Sequence, residues 1–143
     1  MTEEQQQYFY NRIDQLTEQH QAKFGEMTVQ QVVPHCTDQF RMALGEKLAD
    51  EYGQVDPKEI MAKAQKGENV PTPKGFGQTE GDGTPPSDFE QDKALLKTRI
   101  KQFRELPENY PFHPHPYFGE YDKNKWSKII IYHLNHHLDQ FGV

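Results

Sequence analysis

With 143 residues, 16 Lys and Arg against 22 Asp and Glu, and a formal charge of −6, the chain has room for one domain (1–143) and no second core. A phosphate backbone would require clustered Lys and Arg, so the acidic balance, with a pI near 5.6, excludes nucleic acid as a partner. The single cysteine, Cys36, cannot close an intrachain disulfide, and the opening MTEEQQQ lacks the basic-then-apolar pattern of a signal peptide. No apolar run is long enough for a membrane span, so a cytoplasmic location without a membrane partner is expected.

Leu, Ile, Val and Phe make up about a fifth of the residues, which predicts a lean core. Aromatic residues at 12% compensate, because each ring buries a large apolar area even at a mean hydropathy of −1.00. A thin core also predicts that a bound metal or a dimer partner contributes to stability.

The first helical stripe reads Phe9, Ile13, Leu16, His20 and Phe24, ended by Gly25. Thr28 and Gln31 form a capping box that opens a second helix, whose buried stripe is Val29, Val32, Cys36, Phe40, Leu44 and Leu48, with a local kink expected at Pro34. Residues 49 to 86 form a long connection holding one short helix that opens at Asp56-Pro57 and ends by Gly67. Four prolines and four glycines in VPTPKGFGQTEGDGTPP make the remainder a loop. A capping box at Ser87 and Glu90 is predicted to open a third main helix with Phe89, Leu96, Ile100 and Phe103 inward. LPENYPFHPHP reads as a rigid connector. Asp122 caps the last helix, with Trp126, Ile129, Ile130, His133, His137 and Phe141 inward and Gly142 as its stop. Four amphipathic helices with no strand signal predict an all-α four-helix bundle.

Two imidazoles four residues apart on a helix differ by about 40° and 6 Å, so His133 and His137 can converge on one metal ion. The pair needs a third ligand from another helix, and His35, on the inner face of helix two, is the candidate. Their heights match only if helices two and four run antiparallel, which an up-down-down-up order with a long crossover between helices two and three supplies. In that order the Gly/Pro loop can wall or cover the site and bring Glu80, Asp82 or Asp88 toward it. His113 and His115 fall at the opposite end and read as a packed connector. His136 points about 60° off the inner line and reads as a surface or supporting group. Asp139 reads as solvated, and Cys36 and His20 as packing residues. HLNHH is not a zincin motif, because Leu134 stands where that chemistry needs a glutamate.

Three segments resemble the DinB/YfiT-like superfamily of metal-dependent enzymes, and within it a subgroup of short chains: MTVQQVVPHCTDQFRMALGE, HPYFGEYDKNKW and HLNHHLDQFGV. The resemblance implies an up-down-down-up bundle, a homodimer, and a zinc or nickel ion held by His35, His133 and His137. It also implies a metal-dependent hydrolase or thiol-dependent transferase acting on a small molecule, such as a thiol or thiol adduct. Three neutral imidazoles would leave open positions on the ion for a water or a thiol. Glu80, Asp82, Asp88 and the Val143 carboxylate are the candidates for a general base. The alternative is a non-catalytic stress or interaction bundle, also dimeric, whose histidines bind metal structurally or not at all.

Overall fold

The structure is a computed structural model and describes residues 1–143. It is all-helical, with five helices: α1 (Glu3–Gln15), α2 (Val29–Leu44), α3 (Pro57–Gln65), α4 (Phe89–Glu105) and α5 (Lys123–Gln140). The only extended pairing is one isolated bridge between His115 and Gly119. No helix is long and apolar enough to cross a membrane.

Local signals set most boundaries. Thr2 and Gln5 form a capping box at the start of α1, and Thr28 and Gln31 form the expected one at α2. Asp56 and Pro57 open α3, and Asp122 caps α5 by accepting the Lys125 amide hydrogen. Helix α2 continues through Pro34, its sixth residue, although proline offers no amide to the Gln30 carbonyl.

Three expected boundaries are corrected. Helix α1 stops at Gln15, not at Gly25: Leu16 turns extended, and the Thr17 amide donates to His20 Nδ1 at 3.0 Å instead of continuing the helical ladder. Residues His20 and Phe24 therefore lie outside any helix, and Phe24 is exposed. Helix α2 stops at Leu44, where Gly45 takes a left-handed φ of 71°, and Leu48 is exposed rather than part of the buried stripe. The cap of α4 is Asp88, whose carboxylate accepts from the Gln91 amide; Ser87 instead bonds to Asp92, so the Ser87–Glu90 box does not form.

Helices α1 and α2 each pack against both α4 and α5, while α3 touches no other helix. Phe9, Ile13, Phe40, Leu96, Ile100, Phe103, Trp126, Ile130 and Leu134 fill the single core among the four. Two buried lysines close helix ends: Lys93 Nζ donates to the Leu16 carbonyl beyond α1, and Lys123 Nζ to the Arg104 and Leu106 carbonyls at the end of α4. The connector before α5 is packed as expected. The His113 amide donates to the Ala43 carbonyl, and the His115 ring lies 5.3 Å from that of Trp126.

Buried Arg12 ties α1 to the end of α5. Its guanidinium donates to Asn135 Oδ1, Asp139 Oδ1 and the main-chain oxygen of Val143. Asp139, expected to be merely solvated, is thus half of an ion pair at 2.5 Å, and the Val143 oxygen is occupied by Arg12. Removing the cation strands several acceptors, whereas Asp139 is 67% exposed and can be rehydrated. Arg12→Met is therefore expected to cost about 1–3 kcal/mol in urea unfolding, and Asp139→Asn less than about 1 kcal/mol. Equal losses in the two variants would refute this division of roles.

Candidate metal centre

His35 sits in the first half of α2, and His133 and His137 in the second half of α5. The structure brings all three together: His35 Nε2 and His133 Nε2 are 3.0 Å apart, and one nitrogen from each ring lies within 4.8 Å of the others. Ring centroids are 4.5 to 4.8 Å apart around the trio. His35 and His137 are only 8% and 7% exposed.

Burial also sets their charge. His35 is depressed to about 4, by desolvation first, with the Asp38 carboxylate and the Phe76 carbonyl opposing it. His137 falls to about 3, again through burial and then through His35, while its hydrogen bond to Gln140 opposes the fall. His133 is pushed well down by burial and by its two partner rings. All three are neutral near pH 7, the protonation state a metal ligand requires.

The closest pair of nitrogens has the spacing of two ligands on one divalent ion, and all three nitrogens lie within 4.8 Å of one another. With metal–nitrogen bonds of about 2.0–2.1 Å, neighbouring ligand nitrogens stand roughly 2.9 Å apart in an octahedron and 3.3 Å in a tetrahedron. The His35–His133 spacing of 3.0 Å falls between these. Buried His35 Nδ1 and His133 Nδ1 meet no hydrogen-bond partner, so polar groups are gathered here without a purely protein network to justify them. The Phe76 carbonyl approaches the His35 ring but accepts no hydrogen bond from that nitrogen.

Other expected site residues lie elsewhere. Glu80, Asp82 and Asp88 do not join the histidines: Asp88 caps α4, the Asp82 carbonyl accepts from Lys47, and the Glu80 carboxylate accepts from Thr79. These are solvated or structural positions, and none is a general base at this centre. The Gly/Pro loop does reach the neighbourhood, but through other residues. Asp38, one turn beyond His35 and fully buried, accepts from the Thr84 amide, the Thr84 hydroxyl and Arg41. Phe76 on the same loop is buried.

His136 is exposed, tilted 5.3 Å from Phe24 and stacked on Tyr132, consistent with a rim position. His115 is occupied structurally, its Nδ1 accepting from the Tyr117 and Phe118 amides. The buried Cys36 thiol is pushed up by desolvation and is a packing group. Asp38 and Gln140 escape a sequence reading. The only available hint of Asp38 was a charged residue within the apolar face of HCTDQF, three positions from His35.

The depressed histidines make stability depend on pH. Unfolded imidazoles titrate near 6.5, whereas His35 and His115 titrate near 4 and His137 near 3 in the fold. Below pH 6.5 the unfolded chain binds protons that the folded chain refuses, so stability falls as pH drops from about 6.5 toward about 4. The thermal midpoint of chelator-treated protein is expected to be level above pH 7 and to decline steadily between pH 6.5 and 4.5. A midpoint unchanged across that window would show that the rings are hydrated and not buried.

No curated protein and no solved structure matches the chain. Residues 3–142 match a family described as a protein of unknown function, DUF1569. Since the match runs through every helix and all three histidines, the chain belongs to the DUF1569 family.

Proposed function

We propose that this protein is a metal-dependent enzyme of the DinB/YfiT-like kind, using a mononuclear centre held by His35, His133 and His137. The observation that carries the reading is the meeting of three neutral imidazoles from two helices, His35 and His137 buried and His133 partly so, with the His35 and His133 Nε2 atoms 3.0 Å apart. The up-down-down-up order belongs to the same proposal. It is supported by His35 of early α2 meeting late α5, by Met1 bonding Ser127 while Arg12 bonds Asn135, and by Gln6 bonding Arg104 while Asp14 bonds Lys97. Those pairs are the ones expected if α1 and α5 run in one direction and α2 and α4 in the other.

Zinc or nickel is the ion proposed, because imidazole nitrogen suits both. A divalent ion held by three neutral ligands supplies Lewis acidity and open positions at which a water or thiol is acidified. The chain's residues provide the rest. His35 and His133 present lone pairs from opposing helices, and burial holds them neutral. Asp38 anchors the Gly/Pro loop beside His35 through Thr84, and the Phe76 carbonyl of that loop faces the His35 ring. The reactions proposed are hydrolysis or thiol transfer on a small thiol, thiol adduct or ester.

One observation favours a second reading, in which the ion is structural. His35 and His137 are almost fully enclosed, and the groove of about 400 Å³ between α3 and the turn at Phe118 and Tyr121 includes none of the three histidines. Protein purified without a metal column is expected to carry one zinc or nickel ion per chain. Alanine at His35, His133 or His137 should each weaken binding by more than the roughly 10–100-fold of an outer-shell change. If the His133→Ala/His137→Ala protein keeps its fold and loses both metal and turnover of a thiol-adduct and ester panel, the enzyme reading holds. Collapse of the fold would favour the structural reading, and a fully loaded wild-type protein inert on that panel would count against catalysis.

A further inference from the structure

His137 Nδ1 lies 2.9 Å from Gln140 Oε1, and the remaining contacts of Gln140 settle which tautomer this hydrogen bond requires. Gln140 Nε2 stands 2.7 Å from the Phe24 carbonyl oxygen, an atom that can only accept. The amide nitrogen must therefore face Phe24, and the amide oxygen must face His137. That oxygen also only accepts, so the hydrogen of the neutral imidazole sits on Nδ1 and the lone pair is left on Nε2.

The clamp itself is held firmly. Gln140 is 2% exposed, and its main-chain oxygen accepts from the Lys23 amide at 2.7 Å. Gly25 has a left-handed φ of 76°, and a Cβ placed there would come within 2.6 Å of Gln140 Nε2. Glycine at this position lets the turn close on the amide. Of the three clustered histidines, only His137 has a partner that fixes its tautomer; His35 Nδ1 and His133 Nδ1 have none.

We propose that Gln140 is a positioning residue that locks His137 in the Nδ1–H tautomer, presenting its Nε2 lone pair to the cluster, with the turn at residues 23–25 as the brace. This rests on the three-histidine reading for its purpose, although the lock itself can be observed without metal. A metal ligand whose second nitrogen donates to a fixed acceptor is oriented and made more basic. Gln140 thus acts on the centre through His137 and touches no ligand position itself.

The test uses the full chain, with long-range ¹H–¹⁵N spectra of the metal-free imidazoles and Co²⁺ affinity by competition with a chromophoric chelator. Wild-type His137 should show the Nδ1–H form. Gln140→Leu removes the acceptor and should give mixed tautomers with roughly 10–100-fold weaker Co²⁺ binding. Gln140→Glu keeps an acceptor for Nδ1–H but loses the donor to the Phe24 carbonyl, so it should keep the tautomer with Co²⁺ affinity above that of Gln140→Leu, while Gly25→Ala, which drives a methyl into the amide, should fall between wild type and Gln140→Leu. If Gln140→Leu does not fold by circular dichroism, Gly25→Ala against Gln140→Glu decides on the same two readouts. An Nε2–H form in the wild type, or Gln140→Leu with unchanged tautomer and unchanged Co²⁺ affinity, overturns the proposal. A wild type that shows the lock but binds no Co²⁺ upholds the tautomer assignment and removes the metal reading instead, so the two fail separately.

Discussion

Enclosing three imidazoles between α2 and α5 is the constraint on which the surrounding structure turns. Each ring must be stripped of water and kept neutral, and two of them leave Nδ1 without a partner. An unmet buried polar group costs about 1–3 kcal/mol, a large share of the 5–15 kcal/mol that holds an ordinary domain together. The lean core offers little surplus to absorb that cost. An ion bound by the folded state alone would return free energy in proportion to its affinity, so folding and metal loading would be linked.

Keeping the rings level requires both helices to be fixed along their length. The Thr28–Gln31 box sets where α2 begins, and therefore the height of His35. Helix α5 is held near its end by Arg12, which grips Asn135, Asp139 and the Val143 oxygen, and at its start by the Asp122 cap and Lys123. Asp38 then fastens the Gly/Pro loop one turn from His35. Proline at position 34 is tolerable in this frame because tertiary packing on two sides, and not the local ladder, holds α2 in place.

The parts legible in the sequence were those decided within a few residues. Thr28, Asp56 and Asp122 act on amides two or three positions ahead, and the four-residue spacing of His133 and His137 fixes their relative direction on any helix. Reading His35 as their partner needed only its face and its height. Spacing misled where a side chain competed with the backbone: His20 fits an apolar stripe with Leu16 and Phe24, yet its ring takes the Thr17 amide and ends α1. The Ser87–Glu90 and Asp88–Gln91 caps differ by one residue and were not separable from composition. Arg12, Asp38, Lys93 and Gln140 form their decisive bonds across long sequence separations, which no local pattern encodes.

The chemistry of the donor set bears on what the centre is for. Structural zinc sites are closed by four ligands and commonly by thiolates, which neutralise the ion; catalytic sites keep three protein ligands and an open position. Here the cluster contains three neutral imidazoles and no carboxylate, and the neighbouring Cys36 thiol is turned into the core, where burial keeps it protonated. The closest buried acid, Asp38, has its oxygens committed to Thr84 and Arg41. A divalent ion at this position would keep its full charge, and that undiminished charge is what acidifies a water or a thiol. A metal ion held by this ligand set alone would therefore be a weak structural staple and a strong Lewis acid.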